Sequence, residues 1–215
     1  MELKELSHIV TVFIVFTIIS SAVALYQQDW NQFGWIALFC AIILIVNIGA
    51  KKLMASLLDA GIEHELWTME RFGYRAHYHV KKYMPEGVPA GIILPLLISF
   101  FSLGMAKFPA LLTYETKALT HRAAKRFGIR SFAEMTDWHN GIIGSAGIIA
   151  VLIVSFISYV PGYEYLAKLA AYYAFANMIP ISKLDGTQIF FGSRVLYSIV
   201  AALTLIFFAY SILLI

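Results

Sequence analysis

The sequence predicts an all-α, polytopic membrane protein that forms a single domain over residues 1–215. Hydrophobic residues make up 60% of the chain and charged residues only 13%, which leaves too little polar surface to cover a soluble globule. The apolar residues also fall in long blocks. Five of these blocks are long enough to cross a hydrocarbon core of about 30 Å as helices. The predicted spans are residues 7–26, 33–50, 141–159, 163–179 and 195–215.

A sixth apolar stretch, residues 90–113, is predicted to re-enter the membrane, with a full sixth span as the alternative. It carries Pro89, Pro95 and Pro109 with Gly91 and Gly104, which favour breaks over one straight helix. If it re-enters, every Lys and Arg except Lys168 lies on one side; if it crosses, the basic residues divide almost equally. The positive-inside rule therefore favours re-entry, a multi-pass protein of the cell membrane, a cytoplasmic N-terminus and an extracellular C-terminus.

The polar region after the second span is predicted to form a small cytoplasmic β-hairpin over about residues 63–82. Residues 51–60 continue the second span as an amphipathic helix. Apolar and polar residues then alternate over 63–70 and 74–82, with Gly73 at the turn. The free edge of such a hairpin can accept an extended segment of another protein, although edges of this kind are more often covered.

Asp185 is the strongest single candidate for a functional residue. It follows directly on an apolar segment, where a carboxylate is costly and usually faces a cavity, an ion or a partner. The ordinary alternative is a solvated turn after a helix, since Leu-Asp-Gly suits turn chemistry. Net charge is only +3, so nucleic acid is not expected as a partner. The expected partners are membrane lipids and other membrane proteins.

The residues around Asp185 resemble the site-2 protease family of intramembrane zinc metalloproteases. The sequence matches that family's N-x-x-P-x-x-x-L-D-G motif at Asn177, Pro180, Leu184, Asp185 and Gly186. Archaeal-type members carry H-E-x-x-H-K-x-x-A on a helix, followed by Glu and Trp at fixed spacing. The positions after the second His match here at Lys52, Ala55, Glu63 and Trp67. Gly147 falls at the Gly of the G-P-x-x-N motif. The resemblance implies a site-2 protease-like core.

The same register predicts that the chemistry of this family is lost. The stretch from Asn47 to Lys51 stands in place of H-E-x-x-H, with Asn47 and Lys51 at the zinc histidines and Ile48 at the catalytic Glu. A catalytic zinc needs about three N, O or S ligands and an open position. Protonated Lys has no lone pair, the Asn amide is a weak ligand, and Ile cannot take a proton from water. No catalytic residue and no cofactor are therefore expected.

We hypothesise that charge takes the place of metal in this site. The predicted topology brings the ends of the second and fourth spans together at the cytoplasmic leaflet. Lys51 then supplies the cation for Asp185, and Asn47 donates a hydrogen bond to the carboxylate. In the alternative reading, Lys51 extends to the membrane surface and Asp185 caps a turn.

The histidines give little support to a substitute metal site. His64 precedes Glu65, but Thr68 stands where a second histidine would be needed. If zinc is present at all, Asp185 and His64 are its candidate ligands. His64 with His77 and His79 is a weaker alternative at strand spacing. Asp137 and His139 are expected to cap the helix that contains Gly141.

Three functions from different classes remain open. The first is a pseudoprotease that binds membrane-protein segments or serves as a subunit or scaffold of a membrane complex. The second is an active intramembrane zinc metalloprotease with a non-standard site that includes Asp185. The third is a small transporter or channel component. The intact Leu-Asp-Gly keeps the second open, whereas Ile48 argues against it.

Overall fold

The computed structural model describes residues 3–69, 88–118 and 135–213. Two short strands, β1 (Ala60–Leu66) and β2 (Leu112–Ala118), accompany the helices. In chain order the helices are α1 (Leu3–Ser20), α2 (Ala22–Tyr26), α3 (Trp30–Leu57), α4 (Ala90–Phe101), α5 (Asp137–Tyr159), α6 (Glu164–Met178), α7 (Asp185–Gly192) and α8 (Arg194–Leu213).

Within the described residues, four helices are long and apolar enough to cross a membrane, namely α1, α3, α5 and α8. They correspond to four of the five predicted spans. The prediction of a full span at 163–179 is wrong in length, because α6 has 15 residues and a helix of that size is about 22 Å long. Most of α6 is buried, and its alanines let neighbouring helices approach closely. Its apolar character therefore reflects packing inside the protein.

Helix α3 continues past the predicted span end at residue 50, as the predicted amphipathic extension over 51–60 requires. It runs without a break through Lys51 and ends at Leu57, three residues before the predicted end. Leu53 and Leu57 remain exposed on this extension. The site residues of α3 are thus held on a rigid helix whose other end lies at Trp30.

Helix α5 is the centre of the assembly. It packs against α3, α6, α7 and α8. Gly141, Gly144 and Gly147 lie along one side of α5, and at each of them a Cβ would meet another element at 3.3 Å or less. Because lipid is as apolar as the helix surfaces, close packing at small residues is what holds such helices together.

Residues 90–113 leave and return to the same end of the molecule, as the re-entrant prediction requires. Trp67 joins both ends, since its N–H donates to Leu111 at 2.9 Å and its C=O accepts from Gly91 at 2.8 Å. The far end packs near α2, where Gly104 faces Ala22. The stretch is interrupted, as its prolines and glycines predict, but not at Pro95. Pro95 lies inside α4, and the chain turns at Leu103 and Gly104, which both have positive φ. Apolar membrane helices tolerate proline in this way.

Lys107 lies on the opposite side from the one predicted. The two ends of α1 identify the two ends of the molecule. Glu5 near the start of α1 contacts Lys52, whereas Ser20 at its end accepts a hydrogen bond from Tyr165. Lys107 contacts Tyr165 and so lies at the Ser20 end. The tip of the re-entrant segment carries this cation away from the other end of α1, which composition alone does not reveal.

The predicted hairpin over 63–82 lies partly outside the described residues, and β1 has a strand partner that the sequence pattern does not predict. The predicted first strand, 63–70, is found as β1 over 60–66, and it pairs antiparallel with β2, with His64 opposite Tyr114. Residues 74–82 and Gly73 lie outside the described part of the chain. The alternation of residues indicates a strand and its two faces, but it does not identify the partner strand.

Candidate functional site

Lys51 and Asp185 form an ion pair in the interior of the protein. Lys51 Nζ lies 2.8 Å from Asp185 Oδ1 in hydrogen-bonding geometry and 2.6 Å from Oδ2. Both side chains are 0% exposed. The contact confirms the predicted pairing, and the alternative in which Lys51 extends to the membrane surface is wrong.

Two rigid elements position this pair. Lys51 lies on α3, one helical turn after Asn47, and Asp185 is the first residue of α7. A carboxylate in the first turn of a helix is stabilised by the partial positive charge of that helix end. The pair therefore joins segments that are 134 residues apart in sequence.

In the interior, the negative charge of the Asp185 carboxylate is compensated by the Lys51 ammonium. Burial raises the pKa of Asp185, and the Lys51 ammonium opposes that rise. The ammonium also lies 4.7 Å from the centroid of the Tyr114 ring, in a cation–π contact. The Lys51 ammonium has no lone pair with which to bind a metal, and its positive charge is already compensated by the Asp185 carboxylate. In this arrangement the pair can hold α3 and α7 together.

Gly147 on α5 provides the space for the Lys51 side chain. A Cβ at this position would lie 2.6 Å from Lys51 Cε and 2.9 Å from Asn47 Nδ2, distances at which something must shift. The glycine that resembles part of a protease motif thus has a local physical reason here. It lets α5 approach α3 directly over the ion pair.

The predicted hydrogen bond from Asn47 to Asp185 is absent. Asn47 Oδ1 accepts from the Tyr173 hydroxyl at 3.4 Å, and Asn47 Nδ2 has no acceptor among the described residues. Ile48 is partly buried and packs against the apolar core. Tyr114 and Tyr173, which the sequence pattern does not single out, are thus the aromatic neighbours of the site.

The other motif residues fix the path of the chain into Asp185. Asn177 Nδ2 donates to the carbonyls of Pro109 at 3.2 Å and Tyr173 at 2.9 Å. Pro180 is exposed in the irregular link between α6 and α7, whereas Leu184 is fully buried. A Cβ on Gly186 would lie 2.0 Å from the Met178 carbonyl oxygen. The motif therefore folds the link back against the end of α6.

Glu5 forms a second polar cluster that the sequence does not predict. Its Oε1 lies 2.7 Å from Lys52 Nζ, 3.2 Å from His64 Nδ1 and 3.4 Å from the His64 backbone nitrogen. The cluster ties α1 to α3 and β1. The only sequence signal is an acidic residue next to an apolar span, and such residues are usually solvated.

His64 is buried and neutral at physiological pH. Burial and the nearby Lys51 charge lower its pKa to about 4, against the opposing effect of Glu5. With Nδ1 directed at Glu5, Nε2 has no partner among the described residues. Seven further buried side-chain atoms lack a hydrogen-bond partner in the described residues: His8 Nδ1, Ser20 Oγ, Asn47 Nδ2, Trp67 Nε1, Asn177 Oδ1, Asp185 Oδ2 and Thr187 Oγ1. Such groups retain the capacity to bind water or the backbone of another chain.

The remaining histidine and acidic candidates do not join the ion pair. His77 and His79 lie outside the described residues. The N-cap residue of α5 is Thr136, and not Asp137 or His139 as predicted. Asp137 lies in the first turn of the helix, and Thr136 contacts the His139 ring. Within residues 3–69, 88–118 and 135–213, no three His, Cys, Asp or Glu side chains are grouped to hold a metal.

The fold and the site together define a class of protein. The described chain is mostly helical, with four helices able to cross a membrane, a two-stranded antiparallel sheet and a buried Lys51–Asp185 pair. Comparison with protein-family models, with curated proteins and with solved structures finds no match for this chain.

Proposed function

We propose that this protein is a non-proteolytic, site-2 protease-like membrane protein that binds a segment of another membrane protein, as a scaffold or subunit of a membrane complex. The observation that carries the proposal is the buried contact between Lys51 and both carboxylate oxygens of Asp185. In the register of the resemblance, Lys51 stands at a zinc histidine and Asp185 at the aspartate of the second motif. A cation that is part of the chain would then do the structural work of a metal.

Loss of proteolysis follows from the same register. Hydrolysis of a peptide bond needs an activated water and a base near it. Ile48 stands at the position of the base and packs into the apolar core. The ammonium of Lys51 neutralises Asp185 but has no lone pair with which to activate water. No zinc is required by this proposal.

The sheet offers a means of binding an extended segment. His64 and Tyr114 lie opposite each other in the β1–β2 register. The His64 N–H is directed at Glu5 at 3.4 Å, and the Tyr114 carbonyl accepts from Gln188 Nε2 at 3.0 Å. On the outer edge of each strand, a side chain thus makes the hydrogen bond that the backbone of a third strand would make: Glu5 on β1 and Gln188 on β2. An incoming segment would replace the long, weak Glu5 contact on β1 with strand hydrogen bonds.

Site-specific photo-cross-linking tests the binding function. A photoreactive residue at Ile62, on the outer edge of β1, is expected to give a discrete adduct with a membrane protein in native membranes. The same residue at Leu53, which is 63% exposed on α3, is the matched control and should not give that adduct. Glu5→Gln should increase the Ile62 adduct, because the charged cap of the edge is removed. Identical adducts at both positions, or none at Ile62, would contradict the proposal.

One observation favours a second candidate, an active zinc metalloprotease with Asp185 and His64 as ligands. His64 Nε2 is buried and has no partner in the described part of the chain, and neutral imidazole nitrogen is a common zinc ligand. This candidate requires Lys51 to leave Asp185 when the metal binds. Zinc content therefore distinguishes the two candidates.

A further inference from the structure

Lys107, at the tip of the re-entrant segment, has no counter-charge among the described residues. Its Nζ donates to the Tyr165 hydroxyl at 2.5 Å and lies 4.4 Å from the centroid of that ring. The hydroxyl in turn donates to the Ser20 carbonyl at 2.7 Å. Among the described residues, no carboxylate lies within ion-pair distance of Lys107. A Lys ammonium has three hydrogens to donate, so this side chain can still bind an anion.

The same lysine lines an apolar groove. It has a volume of about 420 Å³ and runs between the returning arm of the re-entrant segment, α6 and α8. Besides Lys107, its wall contains Phe108, Tyr172, Phe175 and Phe208. The rings of Phe175 and Phe208 are stacked, with centroids 4.1 Å apart. The lining of the groove therefore combines one cation with four aromatic side chains.

These two features match the two parts of an amphiphile. Lys107 lies at the Ser20 end of α1, away from Glu5 and Lys52, so its partner must come from that side of the membrane. An uncompensated cation at membrane depth is costly and is stabilised by an anion. A phosphate offers several acceptor oxygens to an ammonium that has two unused hydrogens. A hydrocarbon chain can pack against the aromatic side chains of the groove, whereas a polar segment would lose its hydrogen bonds to water there.

We propose that this groove binds an anionic phospholipid, with the phosphate on Lys107 and an acyl chain along Phe175 and Phe208. The site is independent of the Lys51–Asp185 pair and of the proposed function. It would anchor the re-entrant tip against α6 and α8.

Lipid binding to the purified protein, counted by native mass spectrometry in mild detergent, tests the proposal. The wild type is expected to bind phosphatidylglycerol about tenfold more tightly than phosphatidylcholine. Both lipids offer a phosphate to Lys107, but the positively charged choline of phosphatidylcholine offsets the attraction, whereas phosphatidylglycerol keeps a net negative charge. Lys107→Gln should abolish this preference, and Lys107→Arg should keep it. Lys183→Gln removes an equal charge from an exposed lysine, 46% accessible, and should leave the preference intact.

Three results would overturn this assignment. The first is a wild type without preference for the anionic lipid, and the second is an equal loss in Lys107→Gln and Lys183→Gln. The third is oleate binding more tightly than phosphatidylglycerol at equal concentration, which would assign the groove to a free fatty acid. A thermal midpoint for Lys107→Gln close to that of the wild type without added lipid establishes that the variant is folded.

Discussion

Replacing Lys51 with Met, or Asp185 with Asn, is expected to lower the free energy of unfolding by about 3 to 5 kcal/mol in each case. Each single change leaves a buried partner without its counterpart, since both side chains are 0% exposed. The double variant removes both charges together. It should therefore lose much less than the sum of the two single losses.

Unfolding in mixed detergent micelles, followed by circular dichroism, measures this coupling. The exposed pair Lys183–Glu115 is the control, with N–O distance 3.2 Å and side chains 46% and 48% accessible. Lys183→Met with Glu115→Gln should show coupling of only about 0 to 1 kcal/mol. Additive effects of the Lys51 and Asp185 changes would mean that their contact contributes nothing to stability.

The pH dependence of the stability of Lys51→Met is an independent test of the ion pair. Burial raises the pKa of Asp185, and this variant removes the Lys51 charge that opposes the rise. The folded state then binds a proton more readily than the unfolded state. Stability of the variant relative to the wild type should therefore increase as the pH falls toward the unfolded pKa of Asp, near 3.9.

Gly186→Ala is expected to lower the free energy of unfolding by about 3 kcal/mol or more, at the upper end of overpacking effects. The new Cβ would lie 2.0 Å from the Met178 carbonyl oxygen and 2.4 Å from its carbon. These are backbone atoms at the end of α6, so no side-chain rotation can relieve the contact. The link that delivers Asp185 to Lys51 must move instead.

Gly49→Ala is the matched control for this substitution. Gly49 lies on α3, close to the site residues, but a Cβ there meets nothing within 4 Å. Ala is the better helix former, so this change should alter stability by less than about 1 kcal/mol, in the stabilising direction. The same thermal or detergent unfolding assay measures both variants. A Gly186→Ala protein as stable as the control would contradict the described packing of the motif.

The sequence predicts most of the helices and the central contact of the site, for identifiable reasons. Long apolar blocks specify α1, α3, α5 and α8, because the bilayer demands continuous apolar helices. The pairing of Lys51 with Asp185 follows from the cost of burying either charge alone. The first argument needs only local sequence. The second also needs the alignment of Lys51 and Asp185 with the two motifs described above.

What the sequence does not predict depends on long-range packing. The choice of β2 as the partner of β1, and the place of Glu5 beside His64, arise from segments that are distant in the chain. Lys107 illustrates the same limit, because the end of the molecule at which it lies depends on where the chain turns between residues 90 and 113. The turn falls at Leu103 and Gly104 although Pro95 gives the stronger local signal.

The zinc content of the protein tests the central claim that a lysine replaces metal at Asp185. The wild type and Asp185→Ala would be purified in mild detergent without chelator, and zinc measured by mass spectrometry against protein concentration. We expect far less than one zinc per chain in both proteins, because the Lys51 ammonium donates a hydrogen bond to Asp185 Oδ1 and lies 2.6 Å from Oδ2. About one zinc per chain in the wild type, lost in Asp185→Ala, would contradict the claim and would support a metalloprotease site.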